Sequence, residues 1–178
     1  MRTLIDAERL QARISDMALE IDSYYRGQDW YRTTQEPVVV IGVLAGAIFF
    51  MADLVRKLSI RTKLDFARVL TYSEKATTVQ QPKIIYPPAS RLHDAHILLI
   101  DDILDTGRTI GALRTHLAWP YPEDIKTAVL LRKPDKVPPD ITAEFVGFDV
   151  PDEWVAGYGM DDRHGRRREV QYIFIDED

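Results

Sequence analysis

The stretch from His96 to Ile110, HILLIDDILDTGRTI, constrains the fold of this chain more than any other. An apolar run, Ile97-Leu98-Leu99-Ile100, stops on the acid pair Asp101-Asp102, as a buried strand of a parallel sheet does at its carboxyl edge. Ligands bind at that edge in open α/β sheets. Asp105-Thr106-Gly107-Arg108-Thr109 then makes a small polar turn ahead of a helical pattern with Ile110, Leu113 and Leu117 on one face. Such a turn is a candidate anion site, because the free N–H groups and the positive dipole end of a helix start both suit phosphate. Gly107 admits close backbone approach, and Thr106 and Thr109 add hydroxyl donors. Carboxylates repel phosphate, so Asp101 and Asp102 need other partners, and ribose hydroxyls or a bridging divalent cation fit. A sugar carrying a phosphate answers both halves. A plain strand–turn–helix capped by Asp105 or Thr106 is the alternative use of the same residues. An ATPase metal strand drops out, since no G-x-x-x-x-G-K-[ST] precedes it.

With 178 residues, 46% hydrophobic and 29% charged, the chain is long enough for one core and too short for two ordinary domains. The formal charge of −5 argues against general nucleic-acid binding. The lack of cysteine excludes disulfides, thiolate metal sites and a cysteine nucleophile. MRTLIDAERL carries charges from its second residue, unlike a signal peptide, and the apolar run Pro37 to Met51 is too short and glycine-interrupted to span a bilayer. The expectation is a soluble cytoplasmic protein. The four histidines, His93, His96, His116 and His164, show no metal-ligand spacing.

Asp6 can cap a helix through about Tyr25, with Leu10, Ile14, Met17, Ala18 and Ile21 at helical spacing. Arg26 to Glu36 reads as a polar connection. Val38 to Ile41 is the first buried strand, closed by Gly42, and Val43-Leu44-Ala45-Gly46 turns into a helix that carries Phe49 through Leu58. Two strand–turn–helix units side by side would set the Leu44–Gly46 turn next to the phosphate nest, as a second anion site or as a simple connection. Thr62 to Tyr72 and Lys83 to Tyr86 read as an outgoing and a returning strand around a polar loop. Ile125 to Leu131 and Phe145 to Val150 are further strands, with Val170 to Ile175 the last. Lys133 leaves the core just after one of them, where a lysine is ordinarily solvated. PDEWVAGYGMDD, from Pro151 to Asp162, leads into the basic run Arg163-His164-Gly165-Arg166-Arg167-Arg168.

The apolar strand, two acids, two apolar residues and Asp-Thr-Gly-Arg-Thr resemble the phosphoribosyl-pyrophosphate signature of the type I phosphoribosyltransferases. PDEWVAGYGMDD is a second match, close to the Pro-Asp-x-aromatic-Val-x-Gly-Tyr run of the hypoxanthine phosphoribosyltransferases. GVLAGAIFFMADLVRKL and AVLLRKP resemble that family's pyrophosphate loop and its purine-reading segment. The resemblance implies a doubly wound, mainly parallel α/β sheet flanked by helices. It implies one domain, residues 1–178, with a core of about 37–135 and a small base-binding hood from about 1–25 and 136–178.

The roles it implies are as follows. Asp105 handles the proton on the purine N7. Thr106, Gly107, Arg108 and Thr109 hold the 5′-phosphate, with Asp101 and Asp102 facing the ribose hydroxyls. Lys133 donates to the 6-oxo group, Trp154 stacks on the purine, or else anchors the core, and Val155 offers backbone groups to the ring edge. Leu44, Ala45, Gly46 and Arg167 hold pyrophosphate, and magnesium is met by Asp161, Asp101 and Asp102. Thr71 and Tyr72 belong to a lid that excludes water from the ribosyl centre, or to a solvent-facing hairpin. The chain departs from the family at Ala45, which is usually Lys or Arg, and at Ser73, usually Gly.

The implied activity is that of a 6-oxopurine phosphoribosyltransferase of purine salvage. Hypoxanthine or guanine plus phosphoribosyl pyrophosphate would give IMP or GMP and pyrophosphate, with Mg²⁺, no nucleic acid or membrane partner, and a homodimer or homotetramer. A non-catalytic nucleotide-binding regulator of the same fold and an enzyme preferring xanthine are the alternatives.

Overall fold

The computed structural model describes residues 1–34, 36–70, 83–86, 92–119 and 121–177. A short strand, β1 (Arg2–Ile5), precedes the long helix α1 (Ala7–Arg26). Asp6 caps α1 by accepting from the Arg9 N–H at 2.8 Å, and the expected stripe Leu10, Ile14, Met17, Ala18 and Ile21 is buried along it. Asp22 is buried beside the stripe, where it accepts from the Ser59 and Ile60 N–H groups at 2.9 and 3.2 Å. The expected polar connection contains a helix, α2 (Asp29–Thr34). It fully buries no residue, so no apolar period marks it in the sequence. Trp30 nevertheless stacks on His96, ring centroids 3.4 Å apart.

Strand β2 (Val38–Leu44) runs two residues past Gly42, where it was expected to close, and α3 (Ile48–Val55) stops short of Leu58. Gly42 serves packing, since a Cβ there would overlap the Met51 sulfur of α3. Strand β3 (Thr62–Leu70) starts where expected, residues 71 and 72 of its expected range lying outside the described residues, and β4 (Lys83–Tyr86) follows as expected. After them come β5 (His96–Leu104), α4 (Arg108–Ala118), β6 (Asp124–Arg132), β7 (Phe145–Asp149), β8 (Val155–Ala156) and β9 (Ile173–Ile175).

Six strands form one sheet in the order β4-β3-β2-β5-β6-β7, parallel except for the β3–β4 pair. Helices α1 and α3 cover one face, over Val40, Leu98 and Ile100, and α4 covers the other, over Ile41, Ile97 and Leu99. This is the doubly wound arrangement that the sequence implied. From β2 the chain moves outward to β3 and then returns to β5 on the other side, so the crevice at the carboxyl ends of β2 and β5 is the topological switch point.

Strand β5 was expected to stop at Asp101 but continues to Leu104. Its pairing with β2 ends at Ile100 opposite Gly42, whereas its pairing with β6 runs on to Leu104 opposite Arg132. The acid pair therefore stands on a strand supported on one side and open to the crevice on the other. A second, antiparallel sheet in the order β1-β9-β8 joins the two ends of the chain, pairing Arg2 and Val155 with opposite edges of Ile175. Among the described residues no helix is long and apolar enough to cross a membrane.

Candidate functional site

The switch point holds a cavity of about 320 Å³ lined by Leu44, Gly46, Asp101, Asp102 and the whole turn from Asp105 to Thr109. Gly107 makes that turn with φ at +73°, a left-handed conformation that glycine adopts without penalty. The Gly111 N–H donates to the Gly107 carbonyl at 2.8 Å, closing the first turn of α4. The N–H groups of the residues just inside the helix lack an intrahelical acceptor and are available to an anion. The acids are held by local bonds: Asp101 Oδ1 accepts from the Asp102 N–H and Asp102 Oδ1 from the Ile103 N–H, both at 2.9 Å. Burial, then the charge of Asp102, pushes the Asp101 carboxyl well above the ordinary aspartate value. Burial also raises Asp102, against its hydrogen bonds and the charge of Arg168.

The Leu44–Gly46 segment crosses the same crevice, with a cis peptide between Leu44 and Ala45. Ala45 is exposed and brings no charge. A Cβ on Gly46 would overlap the Asp102 carboxylate, and one on Gly159 would overlap the Gly46 carbonyl oxygen. Asp102, Gly46 and Gly159 are thus stacked in contact, the last with φ at +105°. Arg168 fastens this stack: it donates to the Gly159 carbonyl at 2.6 Å and pairs with Asp161 at 2.7 Å. Arg167, the residue singled out from the sequence, is exposed at φ +71°.

A second cavity of about 160 Å³ adjoins the first and shares Asp102, Ile103 and Asp105 with it; Lys133, Trp154, Val155, Met160 and Asp161 complete its lining. The sequence-derived residues for the sugar phosphate and for the base thus meet along one wall. Trp154 is 46% exposed and so is not a core anchor. Its indole N–H donates to the Asp161 carbonyl at 3.2 Å, and the Arg163 guanidinium lies over its ring, 5.2 Å from the centroid. Val155 is buried in β8.

Lys133 is buried rather than solvated. Its ammonium donates to Asp105 at 3.1 Å and to Asp152 at 3.3 Å, so one of its three donors has no partner among the described residues. Asp105 Oδ1 is buried without a hydrogen bond, although the Lys136 ammonium stands 3.2 Å away. Lys136 and Asp152 escaped the sequence reading, because their convergence on Asp105 joins three separate loops.

Among the described residues no three His, Asp or Glu side chains converge on a ready metal site. Asp102 and Asp161 do line one cavity, and one or two carboxylates are what magnesium takes from a protein when phosphates and water fill the rest of its shell. Thr71 and Tyr72, the lid residues named from the sequence, lie outside the described residues.

Comparison with known proteins places this geometry. Residues 6–163 match the phosphoribosyl transferase domain family. The chain is 35% identical over 177 residues to a hypoxanthine-guanine phosphoribosyltransferase of Aquifex aeolicus, covering 99% of this chain and 96% of the relative. Among solved structures, a hypoxanthine-guanine phosphoribosyltransferase of Bacillus anthracis superposes with a TM-score of 0.86 at 32% identity, covering 97% of this chain and 96% of that one. A hypoxanthine phosphoribosyltransferase of Trypanosoma cruzi in complex with the product IMP gives 0.86 at 28% identity, covering 98% and 92%.

Proposed function

The chain belongs to the phosphoribosyl transferase family, and from that premise we propose how its two cavities divide the reaction between them. The activity is that of purine salvage: hypoxanthine or guanine reacts with phosphoribosyl pyrophosphate to give IMP or GMP and pyrophosphate. The observation that carries the division of roles is the shared wall. Asp102 and Asp105 face both the anion turn and the chamber holding Lys133 and Trp154, so a sugar on one side and a base on the other would meet beside Asp105.

In this reading the Thr106–Thr109 turn holds the 5′-phosphate through backbone N–H groups and hydroxyls, and Asp101 and Asp102 accept from the ribose hydroxyls. Asp105 takes the N7 proton, a role supported by its position lining both cavities. The remaining donor of Lys133 goes to the 6-oxo group, while Trp154 stacks on the ring and Val155 offers backbone groups to its edge. Leu44, Ala45 and Gly46 line the pyrophosphate side. Arg168, paired with Asp161, supplies the cation that the family usually carries at the position of Ala45, and Arg167 also binds pyrophosphate. Magnesium, when bound by Asp161, Asp101 and Asp102, would neutralise charge on the leaving pyrophosphate. Phosphoribosyl pyrophosphate, a multiply charged metabolite, sets the reaction in the cytoplasm.

Self-association fits the sheet edge. Leu64 and Phe66 of β3 are exposed on the α3 side of the sheet, in register with Val40 and Gly42, and Ile48 and Phe49 of α3 are exposed as well. Exposed apolar side chains of this kind are what a homodimer would cover, and light scattering would give its mass.

The deciding experiment is turnover with phosphoribosyl pyrophosphate and magnesium, offering hypoxanthine, guanine, xanthine and adenine separately, with Asp105→Asn as control. The expected result is activity with hypoxanthine or guanine that drops about 10²- to 10⁴-fold in the control, the usual contribution of a positioned acid or base. Full activity in Asp105→Asn would overturn the role given to that residue.

A further inference from the structure

Four charged side chains close into a square at the base end of the cleft. Lys133 Nζ lies 3.1 Å from Asp105 Oδ2 and 3.3 Å from Asp152 Oδ1. Lys136 Nζ lies 3.2 Å from Asp105 Oδ1 and 3.0 Å from Asp152 Oδ1. Each ammonium therefore meets both carboxylates. Two turns bring this about. Lys133-Pro134-Asp135-Lys136 closes with a hydrogen bond from the Lys136 N–H to the Lys133 carbonyl at 3.0 Å, and proline at its second position presets the bend. The Glu153 N–H donates to the Pro151 carbonyl at 2.8 Å, presenting Asp152 to both lysines. Neither Lys136 nor Asp152 lines the cavity beside Lys133.

We infer that Asp152 and Lys136 are positioning residues for the base: Asp152 aims the Lys133 ammonium, and Lys136 holds Asp105 when an incoming base draws on Lys133. The inference rests on the roles proposed above for Lys133 and Asp105. An ammonium held by a single acceptor swings about that one bond. Fixing a second donor on Asp152 sends the third in one direction. A base that accepts from Lys133 weakens its hold on Asp105, and the charge of Lys136 is already beside that carboxylate. Its pairing with Asp152 first, and then with Asp105, pushes the Lys136 amine above its ordinary value.

The test compares Asp152→Asn, Lys136→Gln and Lys136→Arg with the wild type, using Lys133→Gln as reference. It reads kcat, KM for hypoxanthine, KM for phosphoribosyl pyrophosphate and Tm. Asp152→Asn should raise the hypoxanthine KM about tenfold, the scale of one charged hydrogen bond, with the phosphoribosyl-pyrophosphate KM and Tm unchanged. Lys136→Gln should lower kcat more than it raises either KM, and Lys136→Arg should restore most of the loss. Unchanged parameters in both variants, alongside an impaired Lys133→Gln, would overturn this inference alone. Equal losses for both substrates with a lowered Tm would reduce the square to a structural role and overturn it too. If Lys133→Gln leaves the hypoxanthine KM unmoved, the proposed role of Lys133 fails and this inference falls with it.

Discussion

The carboxylate of Asp102 occupies the space where a side chain on Gly46 would begin. An acid on the sheet edge and a glycine in the facing loop therefore set the width of the crevice between them. Gly46→Ala must push one of the two aside, and overpacking of this kind costs about 1–3 kcal/mol. A lowered Tm is expected, together with a loss of turnover larger than that destabilisation accounts for, because Asp102 moves within the site. Thermal unfolding and steady-state kinetics on the same preparation check both.

Arg168 pairs with Asp161 and donates to the Gly159 carbonyl, whereas Arg167 is exposed. Arg168→Gln should raise the KM for phosphoribosyl pyrophosphate about tenfold or more, on the scale of a lost charged hydrogen bond. Arg167→Gln should have the smaller effect. The reverse order in the two KM values would return the pyrophosphate role to Arg167.

In its proposed role Lys133 offers a donor to a 6-oxo group, and adenine presents an amino group in the same place. Lys133→Gln should therefore narrow the preference for hypoxanthine over adenine, and complementarity of this type can reach roughly 10⁴-fold. The KM for phosphoribosyl pyrophosphate should hardly move. Competition between the two bases in one assay measures the ratio directly, and equal losses for base and sugar phosphate would count against the assignment.

Asp53 of α3 accepts from the Tyr158 hydroxyl, the Gln11 amide and the Arg56 guanidinium. Burial alone would raise its value, but these bonds outweigh it and hold the carboxyl below the ordinary 3.8. A depressed value in the folded state means stability that is fully present above the unfolded value and lost as the pH falls through the folded one. The Tm difference between wild type and Asp53→Asn should accordingly be constant near neutrality and shrink below about pH 4. A difference independent of pH would show that Asp53 contributes by packing alone.

Much of this was legible in the residues themselves. The apolar strand, the glycine turn and the amphipathic helix each have a local cause, and all three formed in the expected order, the strand running on past its acids. Lys133, Trp154 and Asp161 were found by resemblance, and the fold brought them to one cavity. What escaped is non-local or carries no period. β1 is four residues long, and its partner β9 is some 170 residues away in the chain. Helix α2 presents no buried stripe. Asp101 looked like the end of a strand because the sequence cannot show that β6 supports four more residues of β5, Asp101 to Leu104, on one side after β2 has left the other. Lys136, Asp152 and Arg168 are ordinary surface charges until separate loops are laid against each other.

The small sheet also imposes an order of assembly. All six strands of the larger sheet and the phosphate turn precede residue 150 in the chain, so a growing polypeptide can fold the sugar-phosphate half of the site early. β1 precedes every other described strand, yet its partner β9 is the last of them, and β8, which carries Val155, pairs with the same late strand. During synthesis the anion turn would therefore take shape before the wall that carries Val155.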